Sequence, residues 1–285
     1  MAKPQSKGFE RNHVRTIAYL RRNGKLCFPL SLALSLVVAG PGLAAETLPP
    51  AAAERVAKDR YEHCVGLVQQ DPTAAERNGA DWVANGGGAA AFHCEALALV
   101  ALKRYGEAAG KLDLAAAEKS AGIAMRSELL DQAGNAWLLA GQADKAEASL
   151  TMALSFAPQN EDVLADRARA RGLRKDWKGA EADLTAVLAL DPNRADIYVL
   201  RASARHAQGR KADASADLAH AFDIYPDYPE ALVERGTMKL ESGDVAGARA
   251  DWQLAASAAP DSDAGTTARE RLSAIKASAK PPAKH

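Results

Sequence analysis

The sequence predicts an all-α fold in which antiparallel helix pairs follow one another as an α-solenoid. Prolines recur every 34 residues, at Pro158, Pro192, Pro226 and Pro260. Alanines keep the same interval, and each is followed four positions later by a bulky apolar residue: Ala146 and Leu150, Ala180 and Leu184, Ala214 and Leu218, Ala248 and Trp252. Aromatic residues make up only 5% of the chain, whereas alanine, the strongest helix former, is abundant. A fixed interval of this length is typical of stacked helical repeats.

These positions divide the chain into four repeats, which we number 1 to 4: 127–160, 161–194, 195–228 and 229–262. The eighth position of each repeat is small: Gly134, Ala168, Ala202 and Gly236. The pattern resembles the tetratricopeptide-repeat family, whose unit pairs two helices that cross at small residues and closes the second with proline. Two positions depart from it. The early Trp of the family is Leu130, Leu164, Tyr198 and Leu232 here, and its Tyr at the eleventh position is Trp137, Arg171, Arg205 and Lys239. The resemblance implies a right-handed superhelix of antiparallel helix pairs.

Residues 1–45 have the organisation of an export signal. Seven basic residues and one acid precede an apolar run, Leu26 to Ala39, which is too short to span a bilayer comfortably. Small residues at Ala44 and Ala45 predict cleavage after one of them and a periplasmic location. An uncleaved signal that anchors the chain to the inner membrane is the alternative. Without residues 1–45 the chain has 29 bases and 35 acids, a net charge of −6, which argues against nucleic-acid binding.

The remaining chain divides by composition and periodicity. We expect a linker at 46–53, an N-terminal helical region at 54–122, the four repeats at 123–262, a capping helix at 263–277 and a disordered tail at 278–285. Within the N-terminal region, Ala108 and Leu112 repeat the spacing of the alanine and its bulky partner, four residues out of phase with the repeats. This predicts a divergent repeat-like pair, with its turn at Tyr105-Gly106.

Two cysteines follow the predicted signal, and each directly follows a histidine: Cys64 after His63, and Cys94 after His93. In an oxidising compartment we expect a disulfide between two N-terminal helices. A metal site built from both His-Cys pairs is the alternative. It is less favoured because adjacent residues on a helix point about 100° apart.

We find no nucleophile motif, phosphate-binding loop or helical metal-ligand spacing. The three glycines at 86–88 follow a predicted helix and not a strand, unlike a dinucleotide-binding turn. We therefore expect no enzymatic activity, no catalytic residues, no metal and no cofactor. Acids also recur at the second position of the repeats: Glu128, Asp162, Asp196 and Glu230. They are interpreted as favourable first-turn charges, with an acidic rim as the alternative.

Charges at two other repeat positions vary together. The seventh position is Arg167, Arg201 and Arg235, and the twenty-third is Asp183, Asp217 and Asp251, in repeats 2 to 4. Repeat 1 has Ala133 and Ser149 and so lacks both charges. Because partly buried charges need partners, we predict ion pairs, with Arg201 meeting either Asp217 or Asp183. Shared ancestry of three recent duplicates is the alternative explanation.

The resemblance also implies where a ligand binds. In the family, the first helices line a concave face that commonly holds peptides, which here predicts contacts from Asp131, Asn135, Arg169, Ser203 and Thr237. Some members clamp a C-terminal carboxylate with Lys and Asn, a set that is mostly missing at these positions. The expected function is a periplasmic scaffold that binds a peptide or another envelope protein. An accessory or catalytic subunit of peptidoglycan or polysaccharide processing is the alternative.

Overall fold

The computed structural model describes residues 49–278, which form thirteen α-helices. The signal predicted in residues 1–45 and all but the first residue of the predicted tail lie outside the described residues. Contacts divide the described chain between Ala140 and Gly141, so residues 49–140 (the N-terminal part) and 141–278 (the C-terminal part) are described separately. From residue 49 to residue 278, no helix is both long and apolar enough to cross a membrane.

The N-terminal part contains five helices: α1 (Pro50–Gln70), α2 (Pro72–Ala84), α3 (Gly88–Ala101), α4 (Tyr105–Ala117) and α5 (Ile123–Leu139). Each helix packs against the next, and α1 also contacts α3. The helix α1 begins at Pro50 and not at Glu54, because proline loses no helical hydrogen bond in the first turn. The predicted linker is therefore partly helical. The turn predicted at Tyr105-Gly106 is also wrong, since both residues begin α4.

The C-terminal part contains eight helices: α6 (Ala143–Phe156), α7 (Glu161–Leu173), α8 (Trp177–Leu190), α9 (Ala195–Ala207), α10 (Lys211–Ile224), α11 (Pro229–Glu241), α12 (Val245–Ala258) and α13 (Asp263–Ser278). Successive helices pack together, and α11 also contacts α9 and α13. The side chains of Asn160, Asp176 and Asp244 accept hydrogen bonds from the first backbone N–H groups of α7, α8 and α12. The pairs α7–α8, α9–α10 and α11–α12 correspond to repeats 2 to 4.

One backbone feature marks the turn inside four helix pairs. At the fifteenth repeat position φ is positive: 79° at Gly209, 91° at Gly243, 63° at Lys175, and 60° at Lys103 between α3 and α4. The next residue closes the turn, as where the N–H of Arg104 donates to the carbonyl of Leu99 (2.9 Å). Lysine holds this left-handed conformation twice, at a cost of roughly 1 kcal/mol each. The shared turn identifies α3–α4 as another copy of the repeat.

The paired helices cross where their residues are small. Ala180, Ala214 and Ala248, on the second helices of repeats 2 to 4, are completely buried. Where Trp252 replaces the leucine of the other repeats, the opposing eighth position is Gly236. A Cβ atom there would lie 2.5 Å from Trp252 Nε1. Small and large side chains therefore compensate for each other across the crossing.

A buried carboxylate joins the two helices of each of these repeats. Asp217 accepts hydrogen bonds from Arg201 Nε (3.1 Å) and Nη2 (2.8 Å), and a further one from Arg205 Nη1 (2.8 Å). The equivalent sets are Asp183 with Arg167 and Arg171, and Asp251 with Arg235 and Lys239. The sequence predicted the seventh-position arginine but missed the second cation, at the eleventh position. Two donors compensate for the desolvation of each aspartate.

The pair α3–α4 contains the same contact with its charges reversed. Lys111 Nζ lies 2.8 Å from Glu95 Oε1. These residues stand 16 positions apart, as the arginine and aspartate do in repeats 2 to 4. Since Glu95 is buried, the contact again places a charged pair between the two helices.

A disulfide links helices α1 and α3 of the N-terminal part. Cys64 of α1 and Cys94 of α3 are bonded, with their Cα atoms 6.1 Å apart. His63 is exposed, whereas His93 is buried and hydrogen-bonded to Tyr61 and Gln132. The two His-Cys pairs therefore do not converge on one point, and the metal-site alternative does not fit this geometry.

The close approach of α2 to α3 generates the first prediction. A Cβ atom at Gly79 would lie 2.8 Å from the backbone of Glu95. We expect Gly79→Ala to lower the free energy of unfolding by about 1–3 kcal/mol. Gly110→Ala in α4 is the matched control, because no atom lies within 4 Å of its Cβ position. The control should raise stability by up to about 1 kcal/mol. Urea unfolding measures both, and equal shifts of the same sign would contradict the packing argument.

The second prediction concerns the shared aspartate. We expect Asp217→Ala to destabilise by about 3 kcal/mol, because it leaves two guanidinium groups in a partly dry interface. In a double-mutant cycle with Arg201→Ala, the coupling free energy should be at least about 1 kcal/mol. Glu62→Ala removes the exposed pair of Glu62 with Lys58 and should change stability by less than about 0.5 kcal/mol. Additive losses from Asp217→Ala and Arg201→Ala would show that the two side chains are not coupled.

Candidate functional site

The candidate binding surface lies on the first helices of repeats 2 to 4, namely α7, α9 and α11. It comprises the second, sixth, ninth and thirteenth repeat positions, which share one side of a helix because they are three or four residues apart. We call it the first-helix face. Its polar members are Asp162, Asp166, Arg169, Asp196, Ser203, Glu230, Glu234, Thr237 and Glu241.

An arginine connects α7 and α9 along this face. Arg194, just before α9, donates to both carboxylate oxygens of Asp196 (3.0 and 2.9 Å). Its guanidinium also lies 3.9 Å from Glu161 and 3.7 Å from Asp162, at the start of α7. One cation therefore serves three carboxylates and holds successive first helices in register.

A histidine makes the corresponding connection between α9 and α11. The His206 ring nitrogens lie 3.0 Å from Glu234 Oε1 and 2.9 Å from Glu241 Oε2. The pKa of His206 is raised, because Glu234 and then Glu241 hydrogen-bond its charged form, while partial burial opposes the shift. The stabilisation from this contact is fully present below the ordinary histidine pKa. It is lost as pH rises through the raised value.

The first-helix face is acidic. Its six carboxylates (Asp162, Asp166, Asp196, Glu230, Glu234 and Glu241) outnumber Arg169, its one guanidinium group, and the adjoining Arg194. The net charge of these groups is −4 with His206 neutral. Asp162 and Glu241 are exposed and so carry this charge to the solvent. Such a surface attracts cationic ligands and increases their association rate.

Three of the five predicted binding residues lie on this face. Arg169 is paired with Asp166 on its own helix, and the Thr237 hydroxyl donates to the carbonyl of Val233 (2.9 Å). Ser203 is partly exposed on α9 between them. The ninth positions therefore supply one paired cation and two small hydroxyl residues, and the acids around them set the charge of the surface.

The other two predicted binding residues are buried. Asp131 and Asn135 of α5 are each 2% exposed. The Asn135 amide donates to the main-chain carbonyl of Asp131 (3.1 Å). Neither side chain is open to solvent in this structure, so contact of Asp131 and Asn135 with a ligand stays a prediction. The helical period placed them on one side of α5 but did not show that this side is covered.

A buried chain of hydrogen bonds connects α1, α3 and α5. Tyr61 O–H donates to His93 Nδ1 (2.8 Å), and His93 Nε2–H donates to Gln132 Oε1 (2.9 Å). Burial lowers the pKa of His93, so the ring is neutral as this pattern requires. Burial, together with the charge of Glu128, raises the pKa of Tyr61. Here the polar side chains of the first helices satisfy one another and do not face solvent.

The sequence reasoning missed the role of His206, which it interpreted as an isolated surface or packing residue. A signal was available. His206 contacts residues 28 and 35 positions later in the chain, and both intervals are close to the repeat length. The acidic rim, considered only as an alternative, describes this face better than isolated first-turn charges do, because Arg194 and His206 tie acids of neighbouring helices together.

Comparison with known proteins shows the fold. No family model and no curated protein matches the chain. Among solved structures, a tetratricopeptide-repeat protein from Parabacteroides merdae is 17% identical with a TM-score of 0.55, over 75% of this chain and 83% of its own. YrrB, described as a tetratricopeptide-repeat protein with an unusual peptide-binding site, is 19% identical with a TM-score of 0.54, over 66% and 97%. A tetratricopeptide-repeat protein of Thermus thermophilus is 19% identical with a TM-score of 0.53, over 65% and 97%.

The fold class predicted from the 34-residue interval is thus confirmed. The described helices of this chain have the tetratricopeptide-repeat fold.

Proposed function

We propose that the chain is an interaction scaffold that binds an extended basic segment of a partner protein on the first-helix face. The observation that carries the proposal is the net charge of −4 on that face. YrrB, which shares the fold, is described as having a peptide-binding site, and this supports a peptide-like ligand.

The arrangement of the acids favours an extended ligand over a compact one. Asp162, Asp196 and Glu230 occupy the same position on three successive first helices. A ligand that contacts all three must run across the helices, as an extended segment of chain does. Arg194 and His206 already hold the helices in register, so little conformational entropy is lost when the ligand binds.

We also propose that the protein is exported and that its partner is another envelope protein. Two observations support this: the organisation of residues 1–45, and the disulfide between Cys64 and Cys94. Disulfides persist in oxidising compartments such as the periplasm and are rare in the cytosol.

The third prediction tests the compartment. We expect the protein recovered from the periplasmic fraction to begin at Ala45 or Glu46. When denatured without reductant it should contain no free thiol, because cleavage removes Cys27 and the disulfide occupies Cys64 and Cys94. Closing a loop across 30 positions should stabilise the fold by about 3 kcal/mol. Cytoplasmic protein with an intact N-terminus and three free thiols would refute export, whereas an intact N-terminus in the membrane fraction would identify the anchored form.

The fourth prediction tests the binding surface. We expect random 12-residue peptides selected on the purified protein to be enriched in Lys and Arg. Their affinity should fall with rising ionic strength. Replacing Asp162, Glu234 and Glu241 by their amides should weaken the selected peptides by at least about tenfold, measured by fluorescence anisotropy.

The matched control removes three carboxylates from the exposed surface of the second helices. Amides at Asp144, Asp213 and Asp223 change the net charge equally but leave the first-helix face intact. The control should retain the affinity within about twofold, since exposed charges contribute little. Equal losses in both variants would show that total charge and not this face determines binding. Selection of peptides without basic enrichment would refute the proposed partner chemistry.

A further inference from the structure

A cleft of about 610 Å³ opens between α10 and α11. Lys211, Ser215, Ala219 and Phe222 line it from α10, and Arg235 and Lys239 line it from α11. We call it the α10–α11 cleft. The helix pairs α6–α7 and α8–α9 are the equivalents of α10–α11 in the earlier repeats. The cleft can therefore be compared with two equivalent places in the same chain.

In both comparisons a glutamate fills the equivalent place. Arg205 Nε of α9 donates to Glu181 Oε1 of α8 (2.8 Å), and Arg171 Nε of α7 donates to Glu147 Oε1 of α6 (3.0 Å). In the α10–α11 cleft the arginine is Lys239. The residue 34 positions after Glu181 is Ser215, which is too short to reach across.

A second contact is lost at the same place. Arg167 Nη1 donates to Thr151 (3.4 Å), and Arg201 Nη1 donates to Thr185 (3.2 Å). The corresponding residue for Arg235 is Ala219. The side chain of Arg235 is accordingly 39% exposed, compared with 16% for Arg167 and 13% for Arg201.

The loss of the glutamate unbalances the charge. In repeat 3 Arg201 and Arg205 face two carboxylates, Asp217 and Glu181, and Glu181 also pairs with Arg210 (2.7 Å). In repeat 4, Arg235 and Lys239 share only the carboxylate of Asp251 (2.8 and 2.9 Å). At the rim, Lys211 lies 3.9 Å from Glu241, and Asp223 also lines the cleft. The cleft therefore lacks one carboxylate that the closed sites hold, and Arg235 and Lys239 are left with a single carboxylate between them.

The floor of the cleft is apolar and aromatic. Leu154 and Leu188 of the earlier repeats are replaced by Phe222, which is only partly buried. Met238 lies beside it. The Arg235 guanidinium stands 4.2 Å from the centre of the Phe222 ring and so faces an apolar surface and the open cleft together.

We infer that the α10–α11 cleft binds a carboxylate with an adjoining apolar group. The carboxylate occupies the place of the missing glutamate, against Lys239 and the exposed side of Arg235, and the apolar group lies on Phe222 and Met238. A free carboxylic acid and the C-terminal carboxylate of a protein share this chemistry. The site differs from the first-helix face, because Arg235 and Lys239 lie on the other side of α11 from Glu234 and Thr237. The two surfaces meet at the rim, where Lys211 lies 3.9 Å from Glu241.

The fifth prediction uses hexanoate as the probe, with hexanamide as the neutral analogue of equal shape. In ¹⁵N-labelled protein, hexanoate should shift the Arg235 Nε–H resonance and the backbone resonances of Ser215 and Ala219, and hexanamide should not. A pair of octapeptides ending in Leu, one with a free carboxylate and one amidated, distinguishes the source. Tighter binding by the free-carboxylate peptide than by hexanoate assigns the site to a chain terminus, and the reverse assigns it to a free acid.

Three variants, one of them a control, test the origin of the site. Ser215→Glu restores the glutamate of the earlier repeats and should weaken hexanoate by at least about tenfold. Ser155→Glu adds the same charge to α6 and should leave binding unchanged. Conversely, Glu181→Ser combined with Thr185→Ala should create a second site between α8 and α9. Hexanoate should then shift the Nε–H resonance of Arg205.

The outcomes are decisive in both directions. Loss of the hexanoate shifts in Ser215→Glu, with their retention in Ser155→Glu, supports the site. The inference is overturned if neither hexanoate nor the free-carboxylate peptide perturbs the cleft. It is also overturned if hexanamide binds as well as hexanoate does, or if Ser215→Glu binds as the unaltered protein does.

Discussion

The packing of this chain depends on how closely the two helices of a pair approach each other. The alanine at the crossing is completely buried in repeats 2 to 4, and its small side chain brings the two backbones near enough for side chains to meet across them. The bulky residue one turn later then fills the remaining space. Trp252 is larger than the leucine of the other repeats, and the residue opposite it is Gly236. The indole fills the volume that a side chain at position 236 would need. Interiors are packed to crystal-like density, so such exchanges occur in matched pairs.

Close approach also explains why a carboxylate can be buried in each repeat. Once the helices are near, Asp217 can receive donors from Arg201 and Arg205 one turn apart on the same helix. Hydrogen bonds from Arg235 and Lys239 hold the pKa of Asp251 below its usual range, even though burial acts in the opposite direction. The same geometry accepts the reversed pair of Glu95 and Lys111. The contact requires two side chains of opposite charge that are long enough to meet, and either helix can carry the anion.

The 34-residue interval and the covarying charges could be predicted from the sequence because they repeat. Equivalent positions of the repeats can be compared, and two positions that change together indicate a contact. Three features were not readable. Lys103 adopts a conformation that favours glycine, and nothing in its identity marks the turn, whereas Lys175 was marked by its 34-residue interval from Gly209. The phase shift before repeat 1 hid the pairing of Glu95 with Lys111. Burial of Asp131 and Asn135 depends on what covers α5, which a helical period does not contain. Periodicity defines the sides of a helix, and only tertiary packing shows which side is open.

The two surfaces of the C-terminal part follow from the same architecture. A first helix presents its second, sixth, ninth and thirteenth positions on one side, and its seventh and eleventh toward the second helices. The acidic first-helix face can therefore vary without disturbing the buried aspartates, as the change from Arg169 to Ser203 to Thr237 illustrates. The interior charges are constrained differently, because each needs its counterpart. Where that counterpart is lost, as at Ser215, the fold is retained and the unbalanced cation faces a cleft. In a repeat architecture a binding site can thus arise by deleting one internal partner, because neighbouring copies maintain the surrounding structure.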